Sequence, residues 1–379
     1  MRRASSRSLS SSLLGNVIYP LRHVYSVADR SVREASWYEK LEGGRVRCLL
    51  CPWRCLLSQG QYGLCGVRRN DGGRLVTLIY GLVTSIAIDP IEKKPLFHFY
   101  PGAPILSIST LGCNFKCPWC QNWHISQAKP GEVYADYIEP ERIVALMKRY
   151  DVPFLAFTYN EPVIWFEYML DVAKLVKRNG GRVVLVTNGH INLEPLEELI
   201  PYMDAANVDV KAFNPETYLK YIRGKLEAVL EAVEAMKERG VHVETTYLVI
   251  PRLNDSESEF EKMIEWHLDK LGPETPLHIS RFYPAYKFVD TEPTPIETLA
   301  RFWKLARSMG LHYVYVGNVP GHSGEYTYCP SCGKPVVKRM GFEVFEWNLT
   351  DENRCKFCGA KVSIVGRKWR GRSSWHFIF

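Results

Sequence analysis

Three cysteines in one short loop of this 379-residue chain have a spacing that could hold an iron–sulfur cluster. Cys113, Cys117 and Cys120 are arranged as C-x3-C-x2-C and follow the apolar run 105–109. Because such clusters usually take four cysteine ligands, three cysteines leave one iron free to bind a small molecule and act on it. The spacing therefore predicts a catalytic cluster. The alternative is a zinc site with a distant fourth ligand such as His124.

The other eight cysteines form two more compact sets, one on each side of this loop. The first set is Cys48, Cys51, Cys55 and Cys65, and the last is Cys329, Cys332, Cys355 and Cys358. The last set consists of two C-x2-C-G motifs with twenty-two residues between Cys332 and Cys355, which is typical of a zinc ribbon and predicts structural zinc rather than iron. The first set is irregular, and its spacing allows either zinc or a second iron–sulfur cluster.

Short-range spacing of all eleven cysteines favours metal sites over disulfides and places the chain in a reducing cytoplasm. A net charge of +7, with the basic residues of the last cysteine segment offset by acidic ones, disfavours a nucleic-acid partner. No apolar run approaches the roughly 18 residues of a membrane span, so no membrane partner is expected.

Residues 1–12 are rich in Arg and Ser like a transit peptide, but no amphipathic helix precedes Pro20, and we interpret them as a tail.

The elements that must position the central loop alternate between short β-branched runs and amphipathic helical stretches. The predicted strands are 105–109, 154–158, 183–187, 206–210, 243–250, 277–281 and 313–316. Helical periodicity over 165–179 and 296–309 ends at glycine in both cases. Repeated strand–helix units predict an α/β fold with a parallel sheet, and six or seven units are too few for a closed eight-fold barrel. We therefore expect an open, partial (β/α) barrel.

Polar residues follow the ends of several predicted strands. They are Cys113, Asn160, Glu161, Asn188, Lys211 and Asn318. Because the carboxyl ends of parallel strands open on one face of the sheet, these residues are expected to converge on one site. Alternation along a strand also places Asp209 and Lys211 on the same face.

The central loop resembles the cluster loop of the radical S-adenosylmethionine (SAM) superfamily, in which an aromatic residue precedes the last cysteine and a barrel strand leads in. Here Trp119 and the run 105–109 take those places. The resemblance implies a [4Fe–4S] cluster on the three cysteines and SAM on its free iron. It also implies an electron donor of the ferredoxin or flavodoxin type, and cleavage of SAM to methionine and a 5′-deoxyadenosyl radical that abstracts hydrogen from a substrate.

The same resemblance implies which other residues contact SAM. Glu161 and Pro162 match the family's Gly-Gly-Glu-Pro stretch, with Tyr159 and Asn160 in place of the glycines. Asp209-Val210-Lys211 resembles the Asp-x-Lys stretch of enzymes that activate pyruvate formate-lyase. The expected cofactor contacts are Trp119, Asn160, Glu161, Asn188, Asp209 and Lys211. The alternatives are a helix-start carboxylate for Glu161, an ordinary turn for Asn188, and a plain ion pair for Asp209 and Lys211.

Motifs from about residue 45 to 365 resemble the radical SAM component of the AmmeMemoRadiSam system, which is related to those activating enzymes. They include residues 63–68, 89–95, 158–162 and 318–321, together with the two outer cysteine sets. The resemblance implies Memo-like and Ammecr-like partner proteins. Two other functions remain open: an activase for a glycyl-radical enzyme, and a non-catalytic module whose zinc ribbon binds nucleic acid.

The expected domains follow from these features. Residues 1–40 are a basic lead-in, residues 41–72 a cysteine-rich metal-binding region, residues 73–322 the partial barrel, and residues 323–379 the zinc ribbon with a basic tail.

Overall fold

A nine-stranded sheet forms the centre of the protein in the computed structural model, which describes residues 30–371 and 376–378. Seven of these strands are parallel and lie side by side in chain order. They are β1 (Pro104–Ser109), β2 (Phe154–Phe157), β3 (Arg182–Thr187), β4 (Ala205–Asp209), β5 (His242–Val249), β6 (Leu277–Arg281) and β7 (Val314–Gly317). The antiparallel strands Ser85–Pro90 and His376–Phe377 continue the sheet beyond β1. The predicted parallel sheet is confirmed, with each strand end within one residue of its expected position.

Helices connect the parallel strands. In chain order they are Trp123–Ser126, Pro140–Arg149, Phe166–Arg178, Leu193–Leu199, Pro215–Thr217, Leu226–Glu238, Glu257–Trp266 and Ile296–Ser308. Helix Ile296–Ser308 buries Leu299, Phe302 and Ala306, which recur at helical spacing. Gly310 follows it with a φ of +118°, so glycine ends this helix as the sequence predicts. Within the described residues, the structure contains no helix with the length and apolar character to span a membrane.

Two small antiparallel sheets precede the barrel. One contains strands Arg33–Glu34, Arg74–Thr77 and Arg68–Asp71, and the other contains Tyr38–Lys40, Val46–Cys48 and Leu56–Leu57. Leu82–Val83 pairs with Asp136–Tyr137. The buried ion pair between Arg68 and Glu167, 2.6 Å long, ties this region to helix Phe166–Arg178. The N-terminal cysteines are therefore held against the barrel wall.

A third small sheet lies at the opposite end of the barrel from the cysteine loop. Its strands are Thr327–Tyr328, Pro335–Met340 and Glu343–Trp347. The buried Arg339 donates from Nη2 to Phe97 O at 2.8 Å and from Nη1 to Thr327 Oγ1 at 2.8 Å. Since Phe97 precedes β1, the C-terminal module packs against the amino ends of the barrel strands. Residues 1–12, interpreted above as a tail, lie outside the described residues.

Candidate active site

The loop with Cys113, Cys117 and Cys120 starts just after β1 and opens at the carboxyl end of the sheet. Gly112 N donates to Ile125 O at 2.9 Å, which closes the loop onto helix Trp123–Ser126. The three cysteines are thus presented by one tight turn, at the face where the sequence placed the site.

Gly112 is a position in this loop where a side chain has no room. Its φ is +87°, and a Cβ there would lie 2.6 Å from Val67 Cγ1 and 3.0 Å from Cys65 O. We expect Gly112→Ala to lower the free energy of unfolding by about 1–3 kcal/mol and to reduce iron uptake. Urea denaturation and iron analysis would measure both effects.

The control for that substitution is Gly240→Ala, because Gly240 has a similar φ of +82° but no atom within 4 Å of an added Cβ. It isolates the cost of the backbone conformation from the cost of the clash. Equal losses of stability and iron in the two variants would show that contact with Val67 does not position the cluster loop.

Burial affects the ionisation of Cys113 and Cys117. It raises the pKa of Cys117 to about 12 and raises the pKa of Cys113 well above its usual range. Such thiols ionise when a metal takes the thiolate as a ligand. Phe115 N lies 3.3 Å and Asn188 Nδ2 lies 3.8 Å from Cys113 Sγ, and both can donate to a thiolate sulfur. This donor set fits an iron–sulfur cluster.

The distances between sulfur atoms separate the last cysteine set from the other two. Among the described residues, only this set has ligand atoms that all lie within 4.8 Å of one another. The Sγ atoms of Cys329 and Cys358 are 3.6 Å apart, and those of Cys332 and Cys355 are 3.8 Å apart. A tetrahedral zinc ion with Zn–S bonds of about 2.3 Å places its sulfurs about 3.8 Å apart. The last set therefore fits a zinc ribbon, whereas the other two sets are spread more widely.

Glu161 is buried at the carboxyl end of the barrel and binds three protein donors. Its carboxylate accepts from Val163 N at 3.0 Å, from Thr187 Oγ1 at 2.7 Å and from Asn188 N at 2.7 Å. Burial raises the pKa of Glu161 to about 7, although these three hydrogen bonds favour the charged form. The carboxylate links the ends of β2 and β3 and caps the short helix Pro162–Trp165. This arrangement corresponds to the helix-start alternative that the sequence allowed.

Tyr159 and Asn160 stand where the family has glycines, and both side chains make contacts within the protein. Tyr159 has a φ of +70°, a conformation that glycine adopts freely, and its hydroxyl donates to Asp89, which Lys94 also contacts at 2.6 Å. Asn160 accepts from Thr110 N at 3.1 Å and donates to Gly112 O at 3.0 Å. The side chain of Asn160 therefore connects the second strand end to the cluster loop.

Removal of that connection should loosen the cluster loop. We expect Asn160→Ala to cost about 1–3 kcal/mol of unfolding free energy, because a backbone donor and a backbone acceptor lose their partners. Iron retained after gel filtration should fall in parallel. The matched control is Asn179→Ala, since the Asn179 side chain bonds Leu175 O at 2.9 Å on the exposed end of a helix. Unchanged iron retention in Asn160→Ala would contradict the positioning role.

Asp209 and Lys211 point to the same side of the sheet, as strand alternation predicts. Lys211 Nζ lies 2.8 Å from Asp209 Oδ2, and the side chains remain 19% and 34% exposed respectively. Burial alone would lower the pKa of Lys211, but the neighbouring charges of Asp209 and Cys117 outweigh it and raise that pKa. Lys211 is therefore a cation beside the cysteine loop.

Asn188 contacts the cluster loop, and Trp119, which lies in that loop, packs against the segment around Phe288. Asn188 Nδ2 donates to Asn114 Oδ1 at 2.9 Å. Trp119 is 3% exposed and packs edge-on against Phe288, with ring centroids 5.4 Å apart. Lys287 N donates to Pro118 O at 2.8 Å, so the segment around Phe288 closes over the loop. The structure thus brings all the expected central residues to one face, several of them in contact with protein groups.

Sequence reasoning missed two supports of this site. Asn114 is fully buried and donates to His190 O at 2.8 Å, which anchors the middle of the cluster loop. The other support is the group Asp89, Lys94 and Tyr159 inside the barrel. Asn114 stands within the cysteine motif, so a polar residue at that place could have indicated a support for the loop. Asp89 and Tyr159 are 70 positions apart in the chain, and nothing in the sequence indicated that they pair.

Comparisons with known proteins agree with this geometry. Residues 107–267 match the radical SAM superfamily. The chain is 47% identical to the uncharacterized protein MJ0808 of Methanocaldococcus jannaschii over 88% of this chain and 100% of that protein. It is 26% identical to a pyruvate formate-lyase-activating enzyme of Clostridium pasteurianum over 40% of this chain and 64% of that enzyme. A radical SAM methyltransferase from Sphaerobacter thermophilus superposes with a TM-score of 0.47 at 14% identity, over 81% of this chain and 86% of that one.

Proposed function

Because this chain belongs to the radical SAM superfamily, we propose that it cleaves S-adenosylmethionine reductively and abstracts hydrogen from a substrate still to be identified. The observation that carries the proposal is the convergence of three cysteines, one buried and two partly exposed, with Lys211, Asp209 and Glu161 at one end of the sheet. When bound, a [4Fe–4S] cluster with SAM supplies one-electron cleavage to methionine and a 5′-deoxyadenosyl radical, which takes hydrogen from a C–H bond.

In this proposal Cys113, Cys117 and Cys120 hold the cluster. The ion pair of Asp209 and Lys211 beside Cys117 presents both charges that a zwitterionic amino acid group requires. Asp209 would accept from the ammonium group of SAM, and Lys211 would donate to its carboxylate. Asp209 and Lys211 would each exchange the other for an opposite charge on SAM. These new contacts offset the cost of removing both charges from water.

Glu161, Asn160 and Asn188 act in the proposal by positioning. Three protein donors already occupy the Glu161 carboxylate, which leaves room for at most one further donor such as the SAM ammonium group. Asn160 and Asn188 fix the two sides of the cysteine loop. Trp119 under Phe288 keeps water from the buried side of the cluster.

A second candidate function is activation of a glycyl-radical enzyme, favoured by the relative that is a pyruvate formate-lyase-activating enzyme. The nine-stranded sheet is open. Its two edge strands are β7 and His376–Phe377, and a protein segment could enter between these edges. A ferredoxin or flavodoxin would supply electrons in either case. Membership in an AmmeMemoRadiSam system, with Memo-like and Ammecr-like partners, belongs to the first proposal. Location in the cytoplasm belongs to both proposals, because a reducing compartment keeps all eleven cysteines free of disulfides.

The test is an anaerobic reaction of the protein after reconstitution with iron and sulfide. With SAM and dithionite we expect equal amounts of 5′-deoxyadenosine and methionine, and none when dithionite is left out. A protein with an intact, reducible cluster that forms neither product would contradict the proposal.

A further inference from the structure

The four N-terminal cysteines line one pocket that reaches the central cluster loop. Its wall contains Cys48, Cys51, Cys55, Cys65 and, from the central loop, Asn114. The Sγ atoms of Cys55 and Cys65 lie 3.8 Å and 3.7 Å from the place of a Cβ on Gly63, which is a glycine and leaves that space free. Four thiols from a stretch of eighteen residues thus face a common interior space.

A buried cation with unused donors also lines this pocket. Arg68 is 1% exposed, and its Nη2 donates to Glu167 at 2.6 Å. Its Nε and Nη1 are buried and have no hydrogen-bond partner among the described residues. Buried donors without partners are costly, whereas an anionic group bound in this pocket would offer them acceptors. The pocket is therefore prepared for an anionic, sulfur-rich group.

The spacing of the sulfurs indicates the size of that group. The N-terminal set fails the 4.8 Å spacing that the last set satisfies, and so does the central set. A cube of four irons holds its thiolates farther apart than zinc does, because each ligand points outward from a corner, whereas zinc draws them to about 3.8 Å. Among the described residues, neither the N-terminal set nor the central set has the close spacing of the zinc-type site.

We propose that Cys48, Cys51, Cys55 and Cys65 hold a second [4Fe–4S] cluster that passes electrons to the central site. With four thiolates every iron is saturated, so this cluster serves electron transfer and does not bind substrate. The relay part of this inference rests on the proposed function, whereas the identity of the metal group does not.

The contacts between the two sites support a relay. Trp53, inside the N-terminal set, donates from Nε1 to Asn114 O at 3.2 Å. A Cβ on Gly112 would lie 3.0 Å from Cys65 O, so the two backbones approach closely there. Asn114 and Gly112 flank Cys113, so the N-terminal cysteine loop packs directly against the central loop. In each transfer the second cluster loses one electron and the central cluster gains one, and a ferredoxin or flavodoxin then restores the second cluster through the partly exposed Cys51 and Cys55 side.

The metal assignment is tested by counting iron and sulfide. The parent protein, reconstituted without oxygen, should hold about eight of each per chain, and the triple variant Cys113→Ala, Cys117→Ala, Cys120→Ala should hold about four. Adding Cys51→Ala to that triple variant should remove the remaining iron. About four irons in the parent, with two zinc ions per chain, would overturn the proposal. This count is made on the parent protein, so it depends neither on SAM cleavage nor on the folding of a variant.

The relay is tested by comparing two reductants in Cys51→Ala with the central cysteines intact. The ratio of the 5′-deoxyadenosine rate with reduced flavodoxin to the rate with dithionite should fall by about tenfold or more, because dithionite is small enough to reach the central site directly. A structural role alone would lower both rates together. An unchanged ratio would overturn the relay, and if the parent protein forms no 5′-deoxyadenosine at all, the proposed function fails while the iron count still decides the second cluster.

Discussion

Cys117→Ala should abolish 5′-deoxyadenosine formation, with a loss of about 10³-fold or more relative to the parent. Cys117 is 7% exposed, and two remaining thiols cannot hold an iron–sulfur cube in place. Iron and sulfide should each fall by about four per chain in the variant. Anaerobic reconstitution, metal analysis and chromatography of the SAM products measure these outcomes together.

The matched control is Gln121→Ala, an exposed residue that directly follows Cys120 in the same loop. It tests whether any change in this loop disturbs the reaction, and it should retain activity within about twofold, as surface changes usually do. If Cys117→Ala formed 5′-deoxyadenosine at the parent rate, Cys117 would not be a ligand of the reactive cluster.

The second large effect concerns stability at the other end of the barrel. Glu244 is fully buried and accepts from Phe97 N at 3.0 Å and His98 N at 2.7 Å, and it pairs with His242 Nε2 at 3.0 Å and His278 Nε2 at 2.7 Å. We expect Glu244→Ala to lower the free energy of unfolding by about 3–5 kcal/mol, because these four groups, three of them on buried residues, lose their acceptor. Urea denaturation followed by circular dichroism measures the loss.

Glu197→Ala is the control, since Glu197 forms an exposed pair with Arg239 at 2.6 Å, and its removal should leave the denaturation midpoint nearly unchanged. A similar small shift for Glu244→Ala would mean that the buried network does not stabilise the barrel.

The same carboxylate predicts a dependence of stability on pH. Burial alone would raise the pKa of Glu244, but hydrogen bonds from His242 and His278 outweigh it and hold that pKa below its usual range. The folded state therefore binds fewer protons at this site than the unfolded chain. Its contribution to stability is present above the ordinary carboxyl pKa and is lost as the pH falls below it. Glu244→Ala should flatten the acid side of the stability profile.

Local pattern was enough to predict the parallel sheet and the grouping of the cysteines. The strands β1–β7 are short runs that are buried on both faces over most of their length, so the residues of each run indicate a strand without reference to the rest of the chain. Cysteine spacings such as C-x3-C-x2-C and C-x2-C-G are equally local. The convergence of Asn160, Asn188 and Lys211 on one face followed from a general property of parallel strands.

Side-chain partners far apart in the chain could not be predicted in this way. Asn160 matched a family position expected to contact SAM, yet its amide bonds Thr110 and Gly112. Tyr159 has a positive φ of +70°, and its hydroxyl contacts Asp89. Each contact depends on how two separate strand ends come together.

The three cysteine sets show the same division most clearly. Residue type and spacing by themselves predicted three cysteine sets of metal-binding type, one with a missing ligand, on an open α/β barrel. Only the tertiary structure decided which set has closely spaced sulfurs, that Arg68 with two unpartnered donors lines the pocket of the N-terminal set, and that the loop of this set touches the central loop. The reason is physical: ligand type is a local property of the chain, whereas ligand separation and the charges around it depend on long-range packing.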